Sequence, residues 1–118
     1  MVEDNKPESD PATLCECLTN PQRELAIRRE LGMDDRLAEV ALLACPDCGQ
    51  WWLRYFYEIE AFPASGRWYL AAVTPQQAIN LTAENAKATL AGLSWYFYGG
   101  SYFKGRSGRI SGPLLLVA

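Results

Sequence analysis

The sequence predicts an α+β fold: a twisted antiparallel sheet with about three helices, fastened near its N-terminus by four cysteines. Three observations predict it. "QWWLRYFYEIEAF", residues 50–62, alternates two faces with the period of a strand. Three other stretches carry the punctuation of helices. "LCECL" and "ACPDCGQ" hold all 4 cysteines, as two close pairs. With 118 residues, 49% of them apolar, the chain is sized for one domain, placed at residues 14–118.

The opening "MVEDNKPESDPAT", residues 1–13, is acidic and polar and contains two prolines. It predicts a disordered acidic tail. It has neither the basic start nor the apolar stretch of a secretory signal. No apolar run approaches the roughly 20 residues of a membrane span. A cytoplasmic protein with reduced thiols and no membrane partner is therefore expected.

The elements follow in order. In "TNPQRELAIRRELGM", Asn20 suits a helix cap, Pro21 a first helical position and Gly32 an exit. Leu25, Ile27 and Leu31 supply the apolar face of this first helix. Residues 37–44 fit both a helix and a buried strand. The strand, from about Glu39, is preferred because it runs straight into the cysteine turn. The aromatic strand then presents Trp51, Leu53, Tyr55, Tyr57 and Ile59 on one face. Trp52, Arg54, Phe56, Glu58 and Glu60 lie on the other, a mixed face that predicts partial cover.

"PASG" turns the chain into a returning strand, "RWYLAAV". Thr74, Pro75 and Gln77 form a capping-box pattern that opens a second helix. Thr82 caps a third, "AENAKATLAGL", whose Ala83, Ala86, Leu90 and Leu93 make one stripe. "SWYFYGGSYF" reads as strand, glycine turn, strand. "KGRSGRISG" is a basic loop, and "PLLLVA" closes the chain as an edge strand.

Four cysteines without a secretory signal argue against persistent disulfides. A redox pair of the thioredoxin type opens a helix, but Cys48 is followed by Gly49, Gln50 and a strand. A metal accounts for both pairs. Structural zinc takes four ligands in a tetrahedron, commonly cysteine thiolates arriving as two pairs from separate loops. The candidate ligands are Cys15, Cys17, Cys45 and Cys48. Pro46 presets a turn between the second pair, and Gly49 permits positive φ just beyond it.

The Cys-Pro-x-Cys-Gly turn followed by a strand resembles the knuckle of zinc-ribbon proteins, over roughly residues 39–60. That resemblance implies that Cys45 and Cys48 are metal ligands. The first pair departs from the pattern, with one residue between its cysteines. Iron suits four thiolates as well as zinc does; zinc is preferred because it needs no redox partner. A shell closed by four sulfurs has no position for water, so its expected role is folding.

The chain has 0 histidines, which removes the commonest general base and the usual partner of a nucleophile. Glu58 and Glu60 read as a solvated strand face, and Asp34 and Asp35 as a turn. No phosphate-binding loop is present. No catalytic residue is assigned and no enzyme is expected.

The formal charge is −3, but it is unevenly spread. Residues 1–60 hold 13 acids and 6 bases; residues 61–118 hold 1 acid and 5 bases. Aromatic residues crowd both faces of the strands. An uncovered patch around Trp52, Phe56 and Trp68 is the candidate partner surface. The leading expectation is a non-enzymatic protein-interaction module, an adaptor or a small inhibitor of the immunity type, with a basic partner for the acidic half. The alternative is a zinc-ribbon nucleic-acid binder. It would use Lys104, Arg106 and Arg109 with the rings of Tyr102 and Phe103.

Overall fold

The computed structural model describes residues 15–116. The acidic tail expected over residues 1–13 lies outside the described residues. Among the described residues, six strands form one antiparallel sheet in the order β1-β2-β3-β4-β5-β6. They are β1 (Ala26–Met33), β2 (Glu39–Ala44), β3 (Trp51–Tyr57), β4 (Arg67–Val73), β5 (Tyr96–Gly99) and β6 (Gly108–Ile110). Two short α-helices, α1 (Pro75–Asn80) and α2 (Ala86–Gly92), connect β4 to β5. The fold is mostly β, so the expected α+β class with about three helices is corrected.

The first expected helix is the cause. Its residues form β1. Asn20 and Pro21 open a tight turn instead of a helix: the Asn20 side chain accepts from the Gln22 N–H at 2.9 Å, and the Asn20 carbonyl from the Arg23 N–H. Strand β1 carries two register shifts against β2, between Ile27 and Arg29 and between Glu30 and Gly32. Each leaves one residue, Arg28 and then Leu31, without a partner. The bulges break the two-residue alternation by which a strand is recognised in a sequence. Gly32 is needed here at φ 98°, inside the irregular strand and not at a helix exit.

The other elements fall close to their expected places. Strand β2 begins at Glu39, and β3 and β4 pair in register from Trp51 with Val73 to Tyr57 with Arg67. Helix α1 opens with the capping box. The Thr74 side chain accepts from the Gln77 N–H, and the Gln77 side chain accepts from the Thr74 N–H. Thr82 and Asn85 exchange a similar pair of bonds one turn ahead of α2, so Asn85 occupies the cap. "SYF" forms a 3-10 turn over Ser101–Phe103, and the partner of β5 is β6. Residues 114–116 are not a strand.

The sheet buries apolar side chains on both faces. Val40, Leu42, Leu53, Tyr55, Tyr69 and Tyr96 point to one face, under Ala78, Leu81, Ala86 and Leu90 of the helical segment. Ala41, Leu43, Trp52, Leu70 and Phe97 point to the other, under Cys17 and Cys45, with Leu18 and Leu25 at the margin. The helices thus cover one face, and the cysteine-bearing segment covers one end of the other. Trp52 is fully enclosed there, its ring 5.9 Å from Phe97 and nearly parallel to it. Burying a ring of that size contributes about 2–3 kcal/mol.

Candidate metal centre

The four cysteines meet at the end of the β2–β3 hairpin. Cys45, Pro46, Asp47, Cys48 and Gly49 make the turn between the two strands. The Cys45 carbonyl accepts from the Gly49 N–H at 2.8 Å, and Gly49 has φ 77°. The Cys45 N–H reaches the Gln50 carbonyl at 3.0 Å and closes the hairpin. Within this turn the Cys48 N–H donates to the Cys45 sulfur and the Gln50 N–H to the Cys48 sulfur. Such bonds stabilise thiolate charge.

Cys15 and Cys17 come from a 3-10 turn over Glu16–Leu18, laid across the sheet. Cys15 caps this turn in extended backbone (φ −68°, ψ 145°), Cys17 lies inside it, and both sulfurs reach the hairpin. Cys15 Sγ lies 3.6 Å from Cys45 Sγ, and Cys17 Sγ lies 3.6 Å from Cys48 Sγ.

All four sulfurs lie within 4.8 Å of one another. A tetrahedron of thiolates about 2.3 Å from a central ion has edges of about 3.8 Å, so the arrangement fits a four-coordinate ion. All four cysteines are free. Cys17 and Cys45 are buried, Cys15 is half-buried and Cys48 is exposed.

The electrostatics suit the same ligand. Burial, then the sulfurs around it, pushes the Cys17 thiol well above its ordinary value. Burial also raises Cys48. At Cys45 burial acts upward too, but the Cys48 N–H and the neighbouring thiols outweigh it, and the net direction is down. Four crowded sulfurs cannot all ionise on their own; a cation at their centre reverses that and takes every thiol as thiolate.

Further contacts hold the two loops together. Arg23 bonds Glu16 at 2.6 Å and also pairs with Asp47. Glu16 sits inside the first cysteine pair and Asp47 inside the second. The only sign of this clamp in the sequence is that each pair encloses an acid. Arg109 of β6 donates to the Leu18 carbonyl at 2.7 Å, with its guanidinium 3.9 Å from the centre of the Trp95 ring. The basic loop thereby braces the cysteine segment from 91 residues away.

The other residues singled out in the sequence are scattered. Trp52 is enclosed, so its ring cannot anchor a partner, while Phe56 and Trp68 are half-buried on the same face. Tyr102 lies under the Arg67 guanidinium, 3.6 Å from ring centre to carbon. Phe103 packs edge-on against Tyr69 and tilted against Tyr98. Lys104 and Arg106 stand exposed on the turn. Three of the five residues of the nucleic-acid alternative, Tyr102, Phe103 and the exposed Arg109, therefore make contacts within the chain.

The chain matches no protein-family model, and neither the curated proteins nor the solved structures include a significant match. Among the described residues, no helix is long and apolar enough to cross a membrane.

Proposed function

We propose that this chain is a non-enzymatic, cytoplasmic protein-interaction module whose fold is fastened by one zinc ion. The observation that carries the metal half of this reading is the convergence of four sulfurs from two loops to within 4.8 Å. Cys15, Cys17, Cys45 and Cys48 would hold the ion, which supplies a crosslink between the N-terminal segment and the β2–β3 hairpin. Zinc is favoured over iron because tetrahedral thiolate coordination satisfies it without redox chemistry. A four-sulfur shell is closed, which assigns the ion to stability and not to water activation.

The interaction half rests on the surface. Met33 and Leu37 are exposed at one end of the sheet, and an excess of acids lies in the same half of the sequence. A basic protein partner complements that surface, in the manner of an adaptor or a small inhibitor. The nucleic-acid alternative has less support, because Arg109, Tyr102 and Phe103 are spent on internal contacts.

The test has two arms. Elemental analysis of protein purified without added metal should find one zinc per chain; a folded chain with no metal overturns the centre. Affinity capture should recover one stoichiometric protein; capture of none, or retention on single-stranded nucleic acid that salt abolishes, overturns the interaction reading.

A further inference from the structure

The far end of the sheet, away from the cysteines, carries a groove of about 450 Å³ between the β1–β2 turn and the end of β3. Its apolar surface comes from Met33, Leu37, Phe56 and Ile59. Glu39, Glu58 and Glu60 also line it, against a single base, Arg36. Met33 is 54% exposed and Leu37 is 74% exposed. Phe62, also exposed, lies two residues beyond Glu60.

The turn that displays Leu37 is built for the purpose. Leu37 has φ 65°, a left-handed conformation that leucine rarely adopts. Asp34, 8% exposed, holds it there. One Asp34 oxygen accepts from the Arg36 N–H at 2.9 Å and the Ala38 N–H at 3.0 Å, and the other accepts from the Tyr55 hydroxyl. A buried carboxylate with three donors fixes the backbone in a conformation that projects an apolar side chain into water. Strain of this kind persists only where the surroundings over-determine it, and it collects at binding sites.

We propose that this groove binds a basic segment of a protein partner, with Leu37, Met33 and Phe56 gripping its apolar side chains and Glu39, Glu58 and Glu60 meeting its lysines and arginines. The proposal rests on the interaction-module reading above and names its site. Charge complementarity selects the occupant. Three acids against one base attract a cationic segment and repel both nucleic acid and the chain's own acidic first 14 residues, which carry four acids and one base. The apolar floor adds a requirement that bare polylysine does not meet.

The test uses the full, metal-loaded chain and three fluorescent synthetic peptides. The first sets Leu and Phe among Lys and Arg. The second places the same apolar residues among Glu. The third keeps the bases and replaces the apolar residues with Ser. Anisotropy should detect binding of the first peptide alone, weakening as salt rises. Leu37→Asn should weaken it at least tenfold while the melting temperature holds or rises, because asparagine accepts a left-handed backbone better than leucine. Glu58→Lys combined with Glu60→Lys should also weaken it at least tenfold, with metal content and near-UV circular dichroism unchanged.

Equal binding of all three peptides, or indifference to these substitutions, overturns the groove. So does a dimer of the chain alone that Leu37→Asn dissociates, since the groove would then serve a second copy. A captured partner whose affinity ignores these substitutions overturns the groove and leaves the interaction module standing; capture of no partner overturns the module itself.

Discussion

Replacing Cys17 by serine tests the metal centre most directly. Cys17 is 2% exposed, and its sulfur lies 3.6 Å from that of Cys48. Capture of zinc by four thiolates supplies about 10–16 kcal/mol, so an equal share for one ligand is about 2.5–4 kcal/mol. In a domain of this size each kcal/mol moves the melting temperature by about 4 °C, which gives a fall of about 10–16 °C. The loss arises because the segment covering Trp52 and Leu43 is no longer tied to the hairpin. Native mass spectrometry should show the metal lost, and near-UV circular dichroism should report the melt. A chelator should lower the wild-type transition in the same way and leave the variant unmoved. Retention of one tightly bound ion by Cys17→Ser, or loss of the ion with no change in melting, refutes the reasoning.

Burial raises the Tyr69 phenol to about 12, against the opposing influence of the Arg67 charge. The folded chain thus prefers the neutral phenol. The contribution is complete below the unfolded value of about 10 and is lost as pH rises toward 12, costing about 2–3 kcal/mol. Denaturant titrations across that range should show the fall, and Tyr69→Phe should flatten it. Gly99→Ala places a Cβ 2.2 Å from the Trp68 ring and should displace that ring, costing about 1–3 kcal/mol and red-shifting tryptophan emission. Gly100→Ala should destabilise more in thermal melts. Its φ is +116° and its Cβ would stand 2.5 Å from the Gly66 carbonyl oxygen, which cannot swing aside. Arg23→Ala should cost no more than about 1 kcal/mol in the same melts, because its acidic partners are 62% exposed.

The centre of the sheet was legible in the sequence. Strands β3 and β4 announce themselves by strict alternation, and Thr74, Pro75 and Gln77 mark the start of α1 through local hydrogen bonding alone. The cysteine constellation was legible for the same reason: thiol chemistry and the knuckle's turn residues are local facts. Strand β1 was not. Its bulges at Arg28 and Leu31 break the alternation of a strand, and Asn-Pro begins a turn as readily as a helix. The choice is made by β2, whose open edge needs a partner, and no local pattern records that. The fate of Trp52 was hidden too. Its strand face alternates as a half-covered face should, but the cover is a segment more than 25 residues earlier in the chain. The Leu37 turn gives no sequence signal beyond Asp34, because its conformation depends on Tyr55 from another strand.

The strictly sequential order of the six strands has a consequence for assembly. Most neighbouring strands are joined by short turns, while β4 and β5 are joined through α1 and α2, so most of the ladder can be built hairpin by hairpin with little loop-closure entropy. Longer closures are made by the sulfur cluster, joining Cys15 to Cys45 across 30 positions, and by Arg109, reaching Leu18 across 91. Laying β1 beside β2 brings the two cysteine pairs toward each other. An ion held by all four sulfurs would latch that closure, and its rate of capture would report when the N-terminal half has closed.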